Sequence, residues 1–148
     1  MERALMTNTP PLRPFHLAFP VNDLARTRTF YTGILGCPEG RSAETWVDFD
    51  LYGHQIVAHL CPAGHKVELL NQVDDENIPI PHFGVILTMK DWSALVERLQ
   101  SADVPFLRKP GMRFLGKPGE QATVFLLDPS GNALEFKAFS SPDRVFAR

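Results

Sequence analysis

The sequence has 148 residues, 44% hydrophobic and 22% charged, and a single domain of this size needs neither a disulfide nor a metal merely to stay folded. Fifteen basic and seventeen acidic residues give a net charge of −2, which argues against nucleic acid and anionic membrane as partners. No apolar run has the length of a signal peptide or a membrane span, and Cys37 and Cys61 lack the paired spacing of a disulfide framework. We therefore expect a cytoplasmic protein.

The first half of the chain predicts a strand, a helix and a hairpin. Residues 15–21 alternate in polarity with the period of a strand. Asn22 or Asp23 is placed to cap a helix that ends at Gly36. Two strand-like runs then follow, separated by Tyr52 and Gly53, and predict a hairpin.

The same order of elements starts again 66 residues later, at His82. An alternating strand precedes Asp91, which is expected to cap a helix with apolar side chains at i, i+3, i+4 and i+7. A turn-rich strand lies around 106–114, and two further strands flank the turn sequence Asp128-Pro-Ser-Gly-Asn. The repeat predicts an α+β fold of two tandem βαβββ modules.

The boundaries of the repeat define one domain, residues 14–139. Module one covers about 14–61 and module two about 82–139, and a polar, Pro-bounded linker of residues 62–81 joins them. The ends of the chain, residues 1–13 and 140–148, are expected to be loose.

Three side chains are predicted to share the open, concave side of the sheet. Period-2 alternation separates the bulky apolar residues of each strand, which face the helices, from His16, His82 and Glu135. Two imidazoles and one carboxylate form the facial triad that suits non-haem Fe(II) and leaves coordination positions open for chemistry. The sequence thus predicts a divalent metal site, with Fe(II) first and Mn, Ni or Zn as alternatives that the same donors accept.

The pattern of motifs resembles the vicinal oxygen chelate superfamily, which contains glyoxalase I, bleomycin-resistance proteins and extradiol dioxygenases. The likeness spans nearly all of residues 14–139, and its most specific part is the run that ends at Glu135. It is carried by the strand-opening His16, the Asn22-Asp-Leu helix start with Phe30-Tyr31 inside the helix, the Leu35-Gly36 helix end, His82, and Asp128-Pro-Ser-Gly-Asn-x-x-Glu135.

The resemblance implies a fold and a reaction class. The two modules would form a U-shaped mixed sheet around the metal, with the helices outside and His16, His82 and Glu135 as ligands. Glyoxalase-like members carry a second carboxylate where this chain has Val57, so the nearest branch is that of the extradiol dioxygenases. The expected function is Fe(II)-dependent ring cleavage of a catechol-like small molecule by O₂, with the protein orienting the reactants.

Two histidines are candidates for the general base of this reaction. The extradiol pattern has a histidine near the start of the strand that His54 opens, whereas alternation puts His59 on the concave face. The dioxygenases also carry a Tyr ten residues before the ligand Glu, and this chain has Phe125 there, which cannot donate a hydrogen bond. The other candidate substrate contacts are Trp46, Phe114, Phe125 and, for an anionic group, the basic side chains Lys109, Arg113 and Lys117.

Two other functions are compatible with the same sequence. One is a glyoxalase-like lyase or isomerase that uses the metal without O₂, and the other is a bleomycin-resistance-type protein that binds a small molecule without catalysis. Members of this fold often form dimers, so a homodimer is expected, with the site closed either within one chain or between two chains.

Overall fold

A computed structural model describes residues 11–61 and 78–148, and within them it confirms the tandem βαβββ order and the α+β class. None of the described helices is long and apolar enough to span a bilayer. The first unit contains β1 (His16–Val21), α1 (Leu24–Arg28) with its π-helical continuation (Thr29–Ile34), β2 (Glu39–Ala43), β3 (Trp46–Leu51) and β4 (His54–Leu60). The second contains β5 (Ile86–Leu87), α2 (Met89–Ser101), β6 (Phe106–Arg113), β7 (Gln121–Leu127), β8 (Ala133–Phe139) and, in the C-terminal tail, a 3-10 turn (Pro142–Arg144).

The strands form two four-stranded sheets with the same topology. Sheet one has the order β1-β4-β3-β2 and sheet two the order β5-β8-β7-β6, with a parallel pair at β1/β4 and at β5/β8 and antiparallel pairs elsewhere. Within one chain the described strands form two separate sheets, so the U-shaped sheet that the resemblance implies would require these sheets to be joined. Among the described strands, β1 is an edge of sheet one and β5 is an edge of sheet two.

The two sheets share one hydrophobic core through their apolar faces. Buried side chains from both sheets and both helices belong to one cluster, including Phe19 of β1, Tyr31, Leu99 of α2 and Phe136 of β8. The rings of Phe19 and Phe83, one from each unit, lie 5.2 Å apart. The polar faces of both sheets consequently point away from this core.

Local details differ from the sequence prediction at three places. The strand predicted to open at His82 is limited to Ile86–Leu87, preceded by one isolated bridge from Phe83 to Leu134. Asp23 caps α1 as expected, but the cap of α2 is Thr88, whose hydroxyl accepts from the backbone N–H of Asp91 at 3.1 Å. Asp91 therefore lies in the first turn, where a carboxylate is favourable. Strand β2 has five exposed residues and no apolar alternation, so it has no pattern from which to predict it.

The Asp128-Pro-Ser-Gly-Asn turn joins the two units. The buried carboxylate of Asp128 accepts from the Tyr31 hydroxyl at 2.9 Å, from the Asn132 amide at 2.9 Å and from the backbone N–H groups of Ser130 and Asn132. Asn132 also donates to the carbonyl of Pro20 at 2.9 Å. The motif is thus a hydrogen-bonded connection between module two and module one.

Substitution of Tyr31 tests this connection. Burial, reinforced by the Asp128 carboxylate, raises the pKa of Tyr31 well above its ordinary value of 10.0. The neutral hydroxyl therefore contributes stability that is fully present below about pH 10 and is lost as the pH rises further, because only the unfolded chain then ionises. Tyr31→Phe is expected to lower the free energy of unfolding by about 1–2 kcal/mol at pH 7 and to flatten its decline above pH 10.

Urea denaturation at pH 7 and above pH 10 measures both effects. At pH 7 Tyr52→Phe is the matched control, because the Tyr52 side chain is partly exposed and its hydroxyl accepts a 3.3 Å contact from Arg98. Equal losses in the two variants would contradict the role of the Tyr31–Asp128 contact.

Candidate metal and substrate site

Two of the three predicted metal ligands meet on the polar face of sheet two. The Nε2 atom of His82 lies 3.1 Å from Oε2 of Glu135 on β8. The other carboxylate oxygen of Glu135 accepts from the Thr123 hydroxyl of β7 at 2.8 Å. The Nδ1 atom of His82 contacts the carbonyl of Pro79 at 2.7 Å, and since a carbonyl only accepts, this nitrogen carries the proton.

The arrangement of His82 and Glu135 fits two ligands of one cation. Because Nδ1 of His82 donates to Pro79, Nε2 is the nitrogen that the neutral ring offers to a metal, and it is the one that faces Glu135. Two donors at about 2.1 Å from one ion, at right angles, lie about 3 Å apart, close to the observed separation. A hydrogen bond from the second ring nitrogen to a carbonyl is also the usual support of a metal-binding histidine.

Gly84 allows the extended segment between His82 and β5 to approach β8. A Cβ atom at this position would lie 1.5 Å from the carbonyl oxygen of Glu135. The close approach is held by backbone hydrogen bonds from Phe83 to Ala133 and from Glu135 to Phe83. Glycine is therefore required for the pairing that brings His82 to Glu135.

The third predicted ligand, His16, lies on the polar face of sheet one. Its Nδ1 atom is 2.9 Å from Oε1 of Gln55 on β4, and the Gln55 amide donates to the Asp48 carboxylate of β3 at 3.1 Å. The imidazole itself is exposed. It has no ring contact or hydrogen bond with His82 or Glu135 among those of residues 11–61 and 78–148.

The packing of the two units explains why His16 is separate. Phe19 and Phe83 meet across the shared core. Alternation along the backbone directs His16 and His82 away from this core, to the polar faces of the two sheets. In the described part of the chain, no three His, Cys, Asp or Glu side chains form a group that could hold a metal ion. A single chain therefore brings together His82 and Glu135 but does not add His16 to them.

Basic side chains lie on the same face of sheet two as Glu135. Cross-strand register puts Arg108 of β6 opposite Phe125 of β7, and Phe125 opposite Glu135. Burial and then the neighbouring Arg113 guanidinium lower the pKa of Arg108, while the Glu135 carboxylate acts in the opposite direction, so both Arg113 and Glu135 lie within electrostatic range of Arg108. Lys137 lies two residues after Glu135 in β8, so its side chain is on the same face of the sheet. This polar face is suited to an anionic ligand.

Arg113 is one of the substrate contacts predicted from sequence, and Arg108 is not. The signal that could have identified it is the strand pairing, because Arg108 follows from the register of β6, β7 and β8 once Glu135 is fixed. At the end of β6, Phe114 is 47% exposed, and the Arg113 guanidinium lies 5.0 Å from the centre of its ring.

The remaining predicted residues divide between the two sheet faces. The Phe125 ring is buried and lies edge-on to the His82 ring at 5.2 Å. Trp46 and His59 are cross-strand partners on the polar face of sheet one, the face that carries His16. His54 is adjacent to Gln55 in β4, so its side chain is on the other face of sheet one. Its Nδ1 accepts from the backbone N–H of Phe15 at 2.8 Å. Of the two candidate bases, His59 thus shares the face of His16 and His54 faces away.

Comparisons with known proteins identify the family. Residues 13–136 match the family described as the Glyoxalase/Bleomycin resistance protein/Dioxygenase superfamily. A glyoxalase/bleomycin resistance protein/dioxygenase from Alicyclobacillus acidocaldarius is 31% identical, with a TM-score of 0.76 over 93% of this chain and 98% of that chain. This chain belongs to that superfamily, the vicinal oxygen chelate superfamily.

Fosfomycin resistance proteins have the same fold. FosX from Listeria monocytogenes is 18% identical, with a TM-score of 0.63 over 87% of this chain and 93% of that chain. FosX from Mesorhizobium loti is 15% identical, with a TM-score of 0.60 over 87% and 93%. The Listeria monocytogenes protein has also been solved in complex with Mn(II) and sulfate. Proteins with this fold thus include resistance proteins and one solved with bound Mn(II).

Proposed function

We propose that this protein is a divalent-metal enzyme that acts on a small, negatively charged substrate. His82 and Glu135 would bind the ion together with His16 from a second copy of the chain. The observation that carries the proposal is the 3.1 Å approach of Nε2 of His82 to the Glu135 carboxylate, with Arg108 and Arg113 nearby.

The free sheet edges support the contribution of a second copy. Strand β1, which carries His16, and strand β5, which follows His82, are both edge strands. Joining β1 of one copy to β5 of the other would produce one eight-stranded sheet, and a two-fold arrangement would form two such joints and two sites. The U-shaped sheet inferred from the resemblance would then be a property of the dimer.

Exposed apolar side chains along these edges also support a joint with a second copy. A cleft of about 380 Å³ lies where β1 and the approach to β5 meet, and Leu12, Phe15 and Ile86 are among its lining residues. These three side chains are 86%, 62% and 45% exposed in the single chain. Apolar surface of this kind is typical of a surface that another protein covers.

Each group of the site has a role in this proposal. A bound divalent metal polarises the oxygen atoms that coordinate it and stabilises negative charge on them. Arg108 and Arg113 would bind and orient the anionic part of the substrate. Phe125 provides an apolar surface beside His82, and His59, on the face of His16, is the candidate proton acceptor.

Ring cleavage of a catechol by Fe(II) and O₂ is the first candidate reaction, as the sequence predicts. Two observations favour a second, a glyoxalase-like lyase or isomerase reaction without O₂. Phe125 has no hydroxyl to assist oxygen chemistry, and His54, the base of the extradiol pattern, faces away from His16. In this chain both reactions would use His16, His82 and Glu135 as ligands, since Val57 supplies no second carboxylate.

Assays with and without O₂ distinguish these functions. Protein reconstituted anaerobically with Fe(II) or Mn(II) is given a panel of catechols and 2-oxo acids that carry a carboxylate. Consumption of one O₂ per substrate with a yellow product identifies the dioxygenase, and turnover in the absence of O₂ identifies the lyase or isomerase. Substrate binding without turnover by the metal-bound protein would contradict the proposed enzyme and indicate a binding protein.

Substitution of Arg108 tests the preference for charged substrates. We expect Arg108→Met to weaken binding of a carboxylate-bearing substrate by about tenfold to a hundredfold, because a charge-assisted hydrogen bond contributes about 1.5–3 kcal/mol. Binding of the uncharged amide of the same compound should change little. Isothermal titration of both ligands measures the difference, and Lys90→Met, at an exposed position of α2, is the control. Equal weakening for both ligands would contradict an anion-binding role.

A further inference from the structure

A buried carboxylate on sheet one has no evident structural purpose. Asp48 is 6% exposed, and its Oδ1 atom is buried without a hydrogen-bond partner among residues 11–61 and 78–148. Its other oxygen accepts from the Gln55 amide. A buried carboxylate with an unsatisfied oxygen is costly, so a fold that retains it needs a compensating role for the residue.

The contacts of Gln55 connect this carboxylate to His16. A carboxylate only accepts hydrogen bonds, so Asp48 fixes the Gln55 side chain with its NH₂ group toward β3. The Gln55 carbonyl oxygen then faces Nδ1 of His16 at 2.9 Å. An amide oxygen also only accepts, so Nδ1 of His16 must carry a proton, and in the neutral ring Nε2 then has the lone pair.

The two histidines reach the same tautomer by different means. In module two the Pro79 carbonyl holds the proton of His82 on Nδ1. At the positions of sheet two that correspond to Asp48 and Gln55, the strand register places Phe125 and Ala133, which offer no hydrogen-bond acceptor in their side chains. Sheet one therefore contains a polar pair where sheet two has apolar residues.

From this chain of contacts we infer that Asp48 and Gln55 are positioning residues that hold His16 with Nε2 free to bind the metal. The inference rests on the proposed function for its purpose, but the tautomer itself is a property of the metal-free protein. The pair acts through His16 and does not touch the ion. A ring held in one tautomer and orientation binds a metal without first having to reorganise.

The experiment is nitrogen NMR of the histidine rings in metal-free protein, with the His16 signals among the five histidines assigned from the spectrum of His16→Asn. Wild type is expected to show the Nδ1–H tautomer at His16. Gln55→Leu should shift His16 to the Nε2–H tautomer, which free imidazole side chains prefer. Asp48→Asn should give a mixture, because an asparagine can present either its oxygen or its NH₂ group to Gln55.

Stability and metal affinity provide the second readout. Asp48→Asn removes a buried charge, so its melting temperature should not fall, whereas a residue needed only for folding would lower it. Mn(II) affinity should decrease by about tenfold to a hundredfold in Gln55→Leu. Gln121→Leu, which removes a buried amide whose donor goes to the Gly119 carbonyl, is the matched control and should leave the His16 tautomer unchanged.

The outcomes separate the two proposals. An Nε2–H tautomer in the wild type, or an Nδ1–H tautomer retained in both variants, would overturn the positioning role of Asp48 and Gln55. If the tautomer shifts as expected but wild-type protein binds no divalent metal, the positioning pair is upheld and the proposed metal enzyme is wrong.

Discussion

Mixing His16→Ala and Glu135→Ala chains is expected to restore about a quarter of the tight Mn(II) sites, although each variant alone has none. In a two-fold dimer each site would take His16 from one copy and His82 with Glu135 from the other. Random mixing makes half of the dimers heterodimers, and each heterodimer has one of its two sites intact. Unfolding the mixed chains, refolding them together and counting bound Mn(II) per chain measures the recovery.

The matched control is a mixture of His82→Ala with Glu135→Ala. Both ligands come from the same module, where they lie 3.1 Å apart, so no pairing of these two variants reconstitutes a site. Recovery in this control, or a lack of recovery in the first mixture, would contradict a site shared between copies. Wild-type affinity in His16→Ala alone would remove His16 from the ligand set.

Substitution of Gly84 by alanine should remove both metal binding and much of the stability. The added methyl group would lie 1.5 Å from the Glu135 carbonyl oxygen, a position that no rotation of a side chain can relieve because the clash is with the backbone. Moving the segment around Gly84 away from β8 by the required distance breaks the backbone hydrogen bonds of Phe83 with Ala133 and Glu135. We expect the free energy of unfolding to fall by about 3 kcal/mol and the Mn(II) affinity to fall with it.

Gly33→Ala provides the control for this substitution. Gly33 lies in the helix of module one, and a Cβ atom there would meet no other atom within 4 Å. Alanine is the better helix former, so this variant should be as stable as wild type or slightly more stable. Urea denaturation and Mn(II) titration of both variants make the comparison, and normal metal binding by Gly84→Ala would contradict the close approach.

Strand faces could be predicted from sequence because alternation is a local signal. The apolar positions of β1 and β8 and the open-side positions of His16 and Glu135 follow directly from period 2. The Asp128 turn is also visible in the sequence, since Pro, Ser, Gly and Asn mark it. The second role of the turn is the hydrogen bond that Asp128 accepts from the Tyr31 hydroxyl. The two residues are 97 positions apart in the sequence, so no local pattern predicts this contact.

The parts of the site that sequence could not predict depend on contacts between strands. Nothing in the sequence distinguishes Gln55 and Asp48 from other polar residues of a strand. Their connection to His16 depends on the pairing of β4 with β1 and β3, which places the three side chains next to one another. Arg108 likewise becomes a site residue only through its pairing with Phe125. The separation of His16 from His82 results from the packing of Phe19 against Phe83, and hydrophobic periodicity does not determine how two units pack.

The most direct test of the shared metal site is a crystal structure of Mn(II)-soaked protein at the manganese absorption edge. The anomalous signal is expected at one ion per chain, bound to Nε2 of His82, to the carboxylate of Glu135 and to Nε2 of His16 from the second copy. An ion bound elsewhere, or one whose three protein ligands all come from one chain, would contradict it.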